Sequence, residues 1–270
     1  MKILLNNYDL NEALKHIPNL GFVPTMGSLH KGHISLIKKS KKKSSKTIVS
    51  IFVNPKQFNS RSDFKKYPKN TNKDLSLLKK LKVDFVYLPN KKQIYPSKRK
   101  FNIKLNKNNQ IMCAKFRKGH FEGVINVMDR LTSLINPKKI FMGQKDMQQL
   151  YLVKKFIEKK YKTEIISCKT VRDNKNLALS SRNNLLNYNQ IKEARAFIND
   201  LFVFKKKLRN KKKLQILIKE KKIELKKFFN IKLEYLEMRN LKNLKTSNKT
   251  KNSKLFVAYY INNIRLIDNV

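Results

Sequence analysis

Glycine is nearly missing from this sequence: six residues of 270, and none after Gly143. Tryptophan is absent, proline occurs seven times and cysteine twice. Cys113 and Cys168 exclude a disulfide scaffold and a four-cysteine metal site, and each reads as an inert packed thiol in a reducing, cytoplasmic setting. No apolar run reaches the roughly 18 residues of a membrane span. The first residues, MKILLNNYDLNEALK, turn acidic early and carry no long apolar core, so a secretory signal is not expected. Acids are also scarce, 18 against 63 Lys+Arg, which leaves a formal charge of +45.

That charge invites a nucleic-acid reading. The basic residues, however, are 53 Lys and only 10 Arg, beside 31 Asn, and they are spread along the chain. Lys, Asn and Ile share AT-rich codons, while phosphate and base recognition favours the planar fork of Arg. A compositionally driven, solvated surface is the simpler account, with no specific nucleic-acid partner expected. Such a field still attracts anionic ligands at low salt.

What is present is 40% hydrophobic, enough for a real core. Leu20–Pro24, TIVSIFV at 47–53, VDFVYL at 83–88, 139–142 and 164–168 read as short buried strands. Helical spacing occupies 34–37 and beyond, 74–81, 123–135 and 148–159. Buried strands alternating with helices indicate an α/β fold with a parallel sheet. After about residue 183 the texture changes. Residues 190–229 are amphipathic and Lys-rich, with Leu201, Phe204, Leu208, Ile223 and Phe228 as apolar positions, and 231–239 and 255–261 read as strands around a polar tract. This predicts a second, smaller α+β domain, with domains at 1–172 and 173–270. The basic amphipathic stretch reads as a helix packed on its own domain, not as a membrane-surface element.

A chain so poor in glycine keeps it where backbone geometry demands it. Gly27 and Gly32 bracket the loop after the first predicted strand, at the edge where doubly wound sheets bind nucleotides. Their spacing is that of a P-loop, but His33 and Ile34 stand where Lys and Ser/Thr are required, and there is no G-x-G-x-x-G. Instead His30 and His33 lie three apart at a helix start, on one face. Both imidazoles can meet a phosphate held at the helix N-terminus. The alternatives are two surface histidines or half a metal site. No third histidine lies nearby and no acid falls between Glu12 and Asp63, so zinc is disfavoured.

The segment GFVPTMGSLHKGH closely resembles the ATP-binding signature of the pantothenate synthetase (pantoate–β-alanine ligase) family, within the H-x-G-H nucleotidyltransferase superfamily. IFVNPKQF at 51–58, RKGHFEGV at 117–124, GQKDMQQL at 143–150, LALSSRN at 177–183 and RLIDN at 265–269 resemble further family motifs in the same order. The resemblance covers about residues 20–270. It implies a Rossmann-like N-terminal domain with a C-terminal lid, usually in a homodimer. It implies a ligase that uses ATP and Mg²⁺ to adenylate pantoate, after which β-alanine displaces AMP. ATP would be held by Met26, Gly27, Ser28, Leu29, His30, Lys31, Gly32, His33, Gly143, Gln144, Lys145, Asp146, Val171, Leu179, Ser180, Ser181 and Arg182. His30, His33, Lys145 and Arg182 would act in catalysis, Gln57 and Gln149 would bind pantoate, and Gln57 also β-alanine. No protein metal ligand is assigned. Three departures stand out. Asn176 and Asn262 replace glycines usual in the family, and Gln144 replaces an acid. Asn tolerates a left-handed backbone, so the first two are compatible with the same turns.

Overall fold

The computed structural model describes residues 1–96, 103–208 and 213–270. The chain divides into two compact units, Met1–Lys169 and Thr170–Val270.

The first unit is built on a six-stranded parallel sheet. Its strands are β1 (Lys2–Leu4), β2 (Leu20–Thr25), β3 (Lys46–Ile51), β4 (Phe85–Tyr87), β5 (Lys139–Gly143) and β6 (Glu164–Cys168), in the order β1-β4-β3-β2-β5-β6. Alternate residues go to opposite faces, as the two-residue strand period requires. Phe22, Ile48, Tyr87, Ile140 and Ile165 pack with the helices Asn7–Leu14, His120–Ile135 and Met147–Lys160. Val23, Val49, Val86, Phe141 and Ile166 pack on the other face with Lys31–Lys43 and Thr71–Lys80. Burial on both faces is why these strands read as continuous apolar runs rather than alternating ones. Cys113 and Cys168 are buried and not joined in a disulfide, and burial raises the Cys168 pKa.

The strands and helices fall close to their expected places, with informative differences. β1 carries no sequence signal of its own, because three residues on a sheet edge are too few to show a period. The helix expected from Gly123 begins three residues earlier, at His120, after Gly119 turns the chain through a left-handed conformation. It ends at Asn136, also left-handed, just before Pro137.

The second unit is a three-stranded antiparallel sheet of β7 (Lys232–Asn240), β8 (Ser253–Ile261) and β9 (Ile264–Asn269), with helices Tyr188–Lys207 and Leu214–Phe228. Its core joins Phe197, Leu201, Ile218, Leu225, Leu236, Val257 and Tyr259. Two apolar positions expected on the packed face are not there: Ile223 and Phe228 are 54% and 76% exposed. The buried face of that helix instead runs through Leu214, Ile218, Lys221 and Leu225. Lys221 is admitted to it by ion pairs with Asp200 and Glu224 at 2.8 and 2.6 Å. β9 went unread as a strand. It follows β8 through a two-residue loop in which Asn262 has φ of +50°, and Asn176 likewise sits at φ +69°. Both departures from glycine thus keep the left-handed backbone.

Candidate active site

Strand order decides where the site lies. From β2 the chain moves outward through β3 to β4, then returns to place β5 on the other side of β2. The loops leaving β2 and β5 therefore diverge and open a crevice at the carboxyl edge, the position at which open α/β sheets bind ligands. Three such loops carry the candidate residues: Met26–His30 after β2, Asn54–Gln57 after β3, and Gln144–Asp146 after β5.

The loop after β2 is held from beneath by Asp74. This buried carboxylate, on the helix Thr71–Lys80, accepts the backbone N–H groups of Ser28 and Leu29 at 2.8 Å each. Ser28 is left-handed at φ +52° and Gly27 at +79°, and a Cβ on Gly27 would lie 2.9 Å from Asp74 Oδ2. Nothing in the sequence pattern marked Asp74, since it sits on the buried side of an otherwise ordinary Lys-rich helix.

His30 and His33 form a reciprocal cap on the helix Lys31–Lys43. His30 Nδ1 accepts the Gly32 N–H at 3.1 Å, and His33 Nδ1 accepts the His30 N–H at 3.3 Å. A backbone N–H can only donate, so both Nδ1 atoms must be unprotonated and both rings carry their proton on Nε2. The ring centroids lie 4.1 Å apart. Gly32 makes this possible: a Cβ there would come within 2.7 Å of the His30 ring. The H-x-G-H spacing is thus a device that presents two neutral N–H donors at a helix N-terminus.

Electrostatics keep the rings neutral. The His33 pKa falls to about 3, chiefly through burial, then through His30 and Lys145; His30 falls to about 4 through burial and Lys145, with Asp146 opposing in both cases. Above pH 6.5 these rings are neutral in both folded and unfolded chains, and contribute no pH dependence. Between 6.5 and about 4 the unfolded chain takes up protons that the folded chain refuses, so stability falls as pH falls, levelling below about 3. Urea denaturation across that range should show this slope, and a His30→Asn variant, which keeps a capping oxygen but no titrating ring, a shallower one. Equal slopes would contradict the burial of His30 as a neutral cap.

Lys145 and Asp146 form an ion pair at 3.3 Å in the turn after β5, and both act on His30 and His33. Gln144 donates to Ser167 Oγ at 2.9 Å. Gly143 has an extended backbone, and a Cβ there would meet nothing within 4 Å. It is the one candidate glycine for which neither conformation nor crowding within the chain demands Gly.

Gln57 is buried beside the loop after β2, its Nε2 donating to Met26 Sδ at 2.8 Å. Its carbonyl accepts from His120 Nδ1 at 2.6 Å. Arg117 approaches His120 Nε2 at 3.0 Å, and since a guanidinium only donates, His120 Nε2 accepts and Nδ1 carries the proton. Asn54 donates to Gln57 Oε1 and to the Gly123 carbonyl, both at 3.1 Å. Of the adjacent glutamines at 148 and 149, Gln148 spends its amide nitrogen on the carbonyls of Asn109 and Ile111, while Gln149 is half-buried in the first turn of its helix. Asn54 and His120 lie within segments singled out in the sequence, but the His120 bond to Gln57 depends on a contact between the turn after β3 and a helix 63 residues away.

The remaining candidates belong to the second unit. Leu179 N–H donates to the Val171 carbonyl at 3.0 Å, closing a narrow hairpin whose root is tied by Arg172 to Asp268 at 2.6 and 2.8 Å. Ser180 caps the short turn Ser181–Leu185 by accepting the Arg182 N–H at 3.3 Å, and Ser181 is buried.

Residues 3–270 match the family model described as pantoate-beta-alanine ligase. The chain is 39% identical over 277 residues to the pantothenate synthetase of Helicobacter acinonychis, covering all of this chain and 99% of that one. It is 37% identical over 259 residues to that of Pseudothermotoga lettingae, covering 95% and 92%. The crystal structure of pantothenate synthetase from Thermus thermophilus superposes with a TM-score of 0.93 at 28% identity, covering 100% of this chain and 99% of that one. The pantoate-beta-alanine ligase from Francisella tularensis, complexed with beta-gamma ATP and beta-alanine, gives 0.84 at 34%, covering 100% and 97%.

Proposed function

Since the chain belongs to the pantoate–β-alanine ligase family and performs its ATP-dependent condensation of pantoate with β-alanine, through pantoyl adenylate with release of pyrophosphate and AMP, we propose that the residues converging on the β3-β2-β5 edge carry the chemistry. The observation behind this reading is the pair of Nε2–H donors fixed at a helix N-terminus beside Lys145.

In the first step the pantoate carboxylate attacks the α-phosphorus of ATP in line and pyrophosphate leaves. No enzyme nucleophile is needed. Catalysis is positioning plus stabilisation of charge on the phosphate oxygens. His30 and His33 donate from Nε2 to those oxygens, and because they are neutral they do so without a proton to lose. Lys145 supplies the positive charge, and its pairing with Asp146 limits where its ammonium can point. Met26–Leu29, Lys31 and Gly32 line the phosphates, with Gly143 and Gln144 on the β5 side. Mg²⁺ would come as part of the substrate, MgATP, and would supply positive charge against the phosphates. Among the described residues no group of three or more His, Cys, Asp or Glu could hold it, and one or two carboxylates plus phosphates suffice for this ion.

Gln57 and Gln149 hold pantoate through amides that both donate and accept, which suits hydroxyls and a carboxylate without neutralising the nucleophile. In the second step the β-alanine amine, guided by Gln57, attacks the acyl carbon. The acyl–phosphate C–O bond breaks, AMP departs with that electron pair, and the amine loses its proton. Val171 serves adenine through its backbone and Leu179 takes part in holding ATP, while Ser180, Ser181 and Arg182 serve the phosphates. The second unit is assigned the lid that keeps water from the mixed anhydride. A homodimeric, cytoplasmic enzyme completes the reading; no helix among the described residues is long and apolar enough to cross a membrane.

The test is kinetic. Purified protein with pantoate, MgATP and β-alanine should release pyrophosphate only when pantoate is present. Gln57→Ala should raise the KM for pantoate at least about ten-fold, the scale of a hydrogen bond to a charged group, and leave the KM for ATP within about two-fold. An unchanged pantoate KM would remove Gln57 from the site.

A further inference from the structure

Tyr95 follows the short helix Lys91–Ile94, outside every motif singled out in the sequence. Its hydroxyl donates to Asn54 Oδ1 at 2.9 Å. Asn54 Oδ1 also accepts the Lys56 N–H at 3.2 Å, and Asn54 Nδ2 donates to the Gly123 carbonyl and to Gln57 Oε1. The orientation of the Asn54 amide is thus unambiguous, because a backbone N–H and a backbone carbonyl flank it on opposite sides. Its nitrogen must face Gln57. The Gln57 amide is then oriented in turn: Oε1 meets Asn54, and Nε2 is directed toward Met26. Were Gln57 to flip, two NH₂ groups would face each other.

We propose that Tyr95 is a positioning residue for pantoate recognition, acting through Asn54 to fix which side of the Gln57 amide carries its N–H donors. This rests on the assignment of Gln57 to pantoate made above. Donation from Tyr95 locks the plane of the Asn54 amide and polarises it, which strengthens its bond to Gln57. The phenol keeps its proton because burial raises its pKa, against Arg130 and the Asn54 bond, so the direction of donation does not change over the working range. The ring is itself held, with Lys56 Nζ 4.1 Å above it and the Phe52 ring 6.4 Å away. The hydroxyl can therefore be removed while the ring stays in place.

The experiment is a double-mutant cycle on the full-length protein with Tyr95→Phe, Gln57→Ala and the pair, read as KM for pantoate, KM for ATP and kcat, with thermal melting of each variant. Tyr95→Phe should raise the pantoate KM about five-fold, the scale of one neutral hydrogen bond, with ATP KM unchanged. In the Gln57→Ala background the same substitution should have no further effect on pantoate KM. An equal increase in both backgrounds, a parallel rise in the ATP KM, or a lowered melting temperature with unchanged pantoate KM would each overturn the proposal. If Gln57→Ala alone leaves pantoate KM intact, the assignment of Gln57 fails and the Tyr95 proposal falls with it. If Gln57→Ala raises that KM and Tyr95→Phe does not, only the proposal fails.

Discussion

His33→Ala should lower pantoate-dependent pyrophosphate release by about 10²- to 10³-fold, the cost of removing one preorganised donor to developing charge. His33 is the deeper of the two imidazoles and the one whose pKa is lowered further. Its Nε2–H is therefore a fixed dipole rather than a mobile cation, and water entering the vacated space would have to reorganise to replace it. The substitution also deletes the acceptor for the His30 N–H, so half of the reciprocal cap is lost, a stability cost of about 0.5–2 kcal/mol. The two losses separate in a His33→Asn variant. That side chain can still cap, which should restore much of the melting temperature without restoring turnover. Folded His33→Ala protein turning over at near the wild-type rate would show that phosphate charge is stabilised elsewhere.

Gly123→Ala should be the most damaging single-methyl change in the first unit. Gly123 lies in the first turn of the helix His120–Ile135, where it rests directly on the loop after β3. An added Cβ would stand 2.3 Å from the Lys56 carbonyl oxygen, 2.7 Å from its carbon and 2.9 Å from the Gln57 nitrogen. All three are backbone atoms, so no side chain can swing aside. Either the helix lifts or the turn carrying Gln57 shifts. Overpacking of this kind costs about 1–3 kcal/mol. Misplacement of a substrate-binding group by about 1 Å costs on the order of 10²-fold in kcat/KM, here for pantoate. The His120–Gln57 and Asn54–Gly123 hydrogen bonds cross the same contact and would be strained together. The check is kcat/KM for pantoate with a thermal melt of the same preparation. Wild-type values in both would mean that the helix and the turn have slack that these distances deny.

The alternation of buried strands with amphipathic helices was legible because apolar residues on both faces of a parallel sheet leave uninterrupted runs, such as TIVSIFV. The glycine economy was legible too, since Gly27 and Gly119 have positive φ and Gly21, Gly32 and Gly123 have no room for a Cβ. Elements without a period were not. β1 is too short, and β9 was visible only as a motif. The exposed Ile223 and Phe228 show the limit of periodicity: apolar spacing alone did not say which side of a Lys-rich helix meets the core.

By itself, the order of residues determined the fold class, the family and the local cap in which His30, Gly32 and His33 act together, because each depends on neighbours within a few positions or on runs of one strand or helix. Only the tertiary structure decided what holds the site in register. Asp74 under the Ser28–Leu29 amides, His120 and Asn54 on Gln57, and Tyr95 behind Asn54 all join residues 41 to 63 positions apart, apart from the three-residue step between Asn54 and Gln57. The physical reason is that a hydrogen bond across a packed interface depends on where two backbones meet. That meeting is a property of the assembled sheet and helices, and no single stretch of sequence carries it.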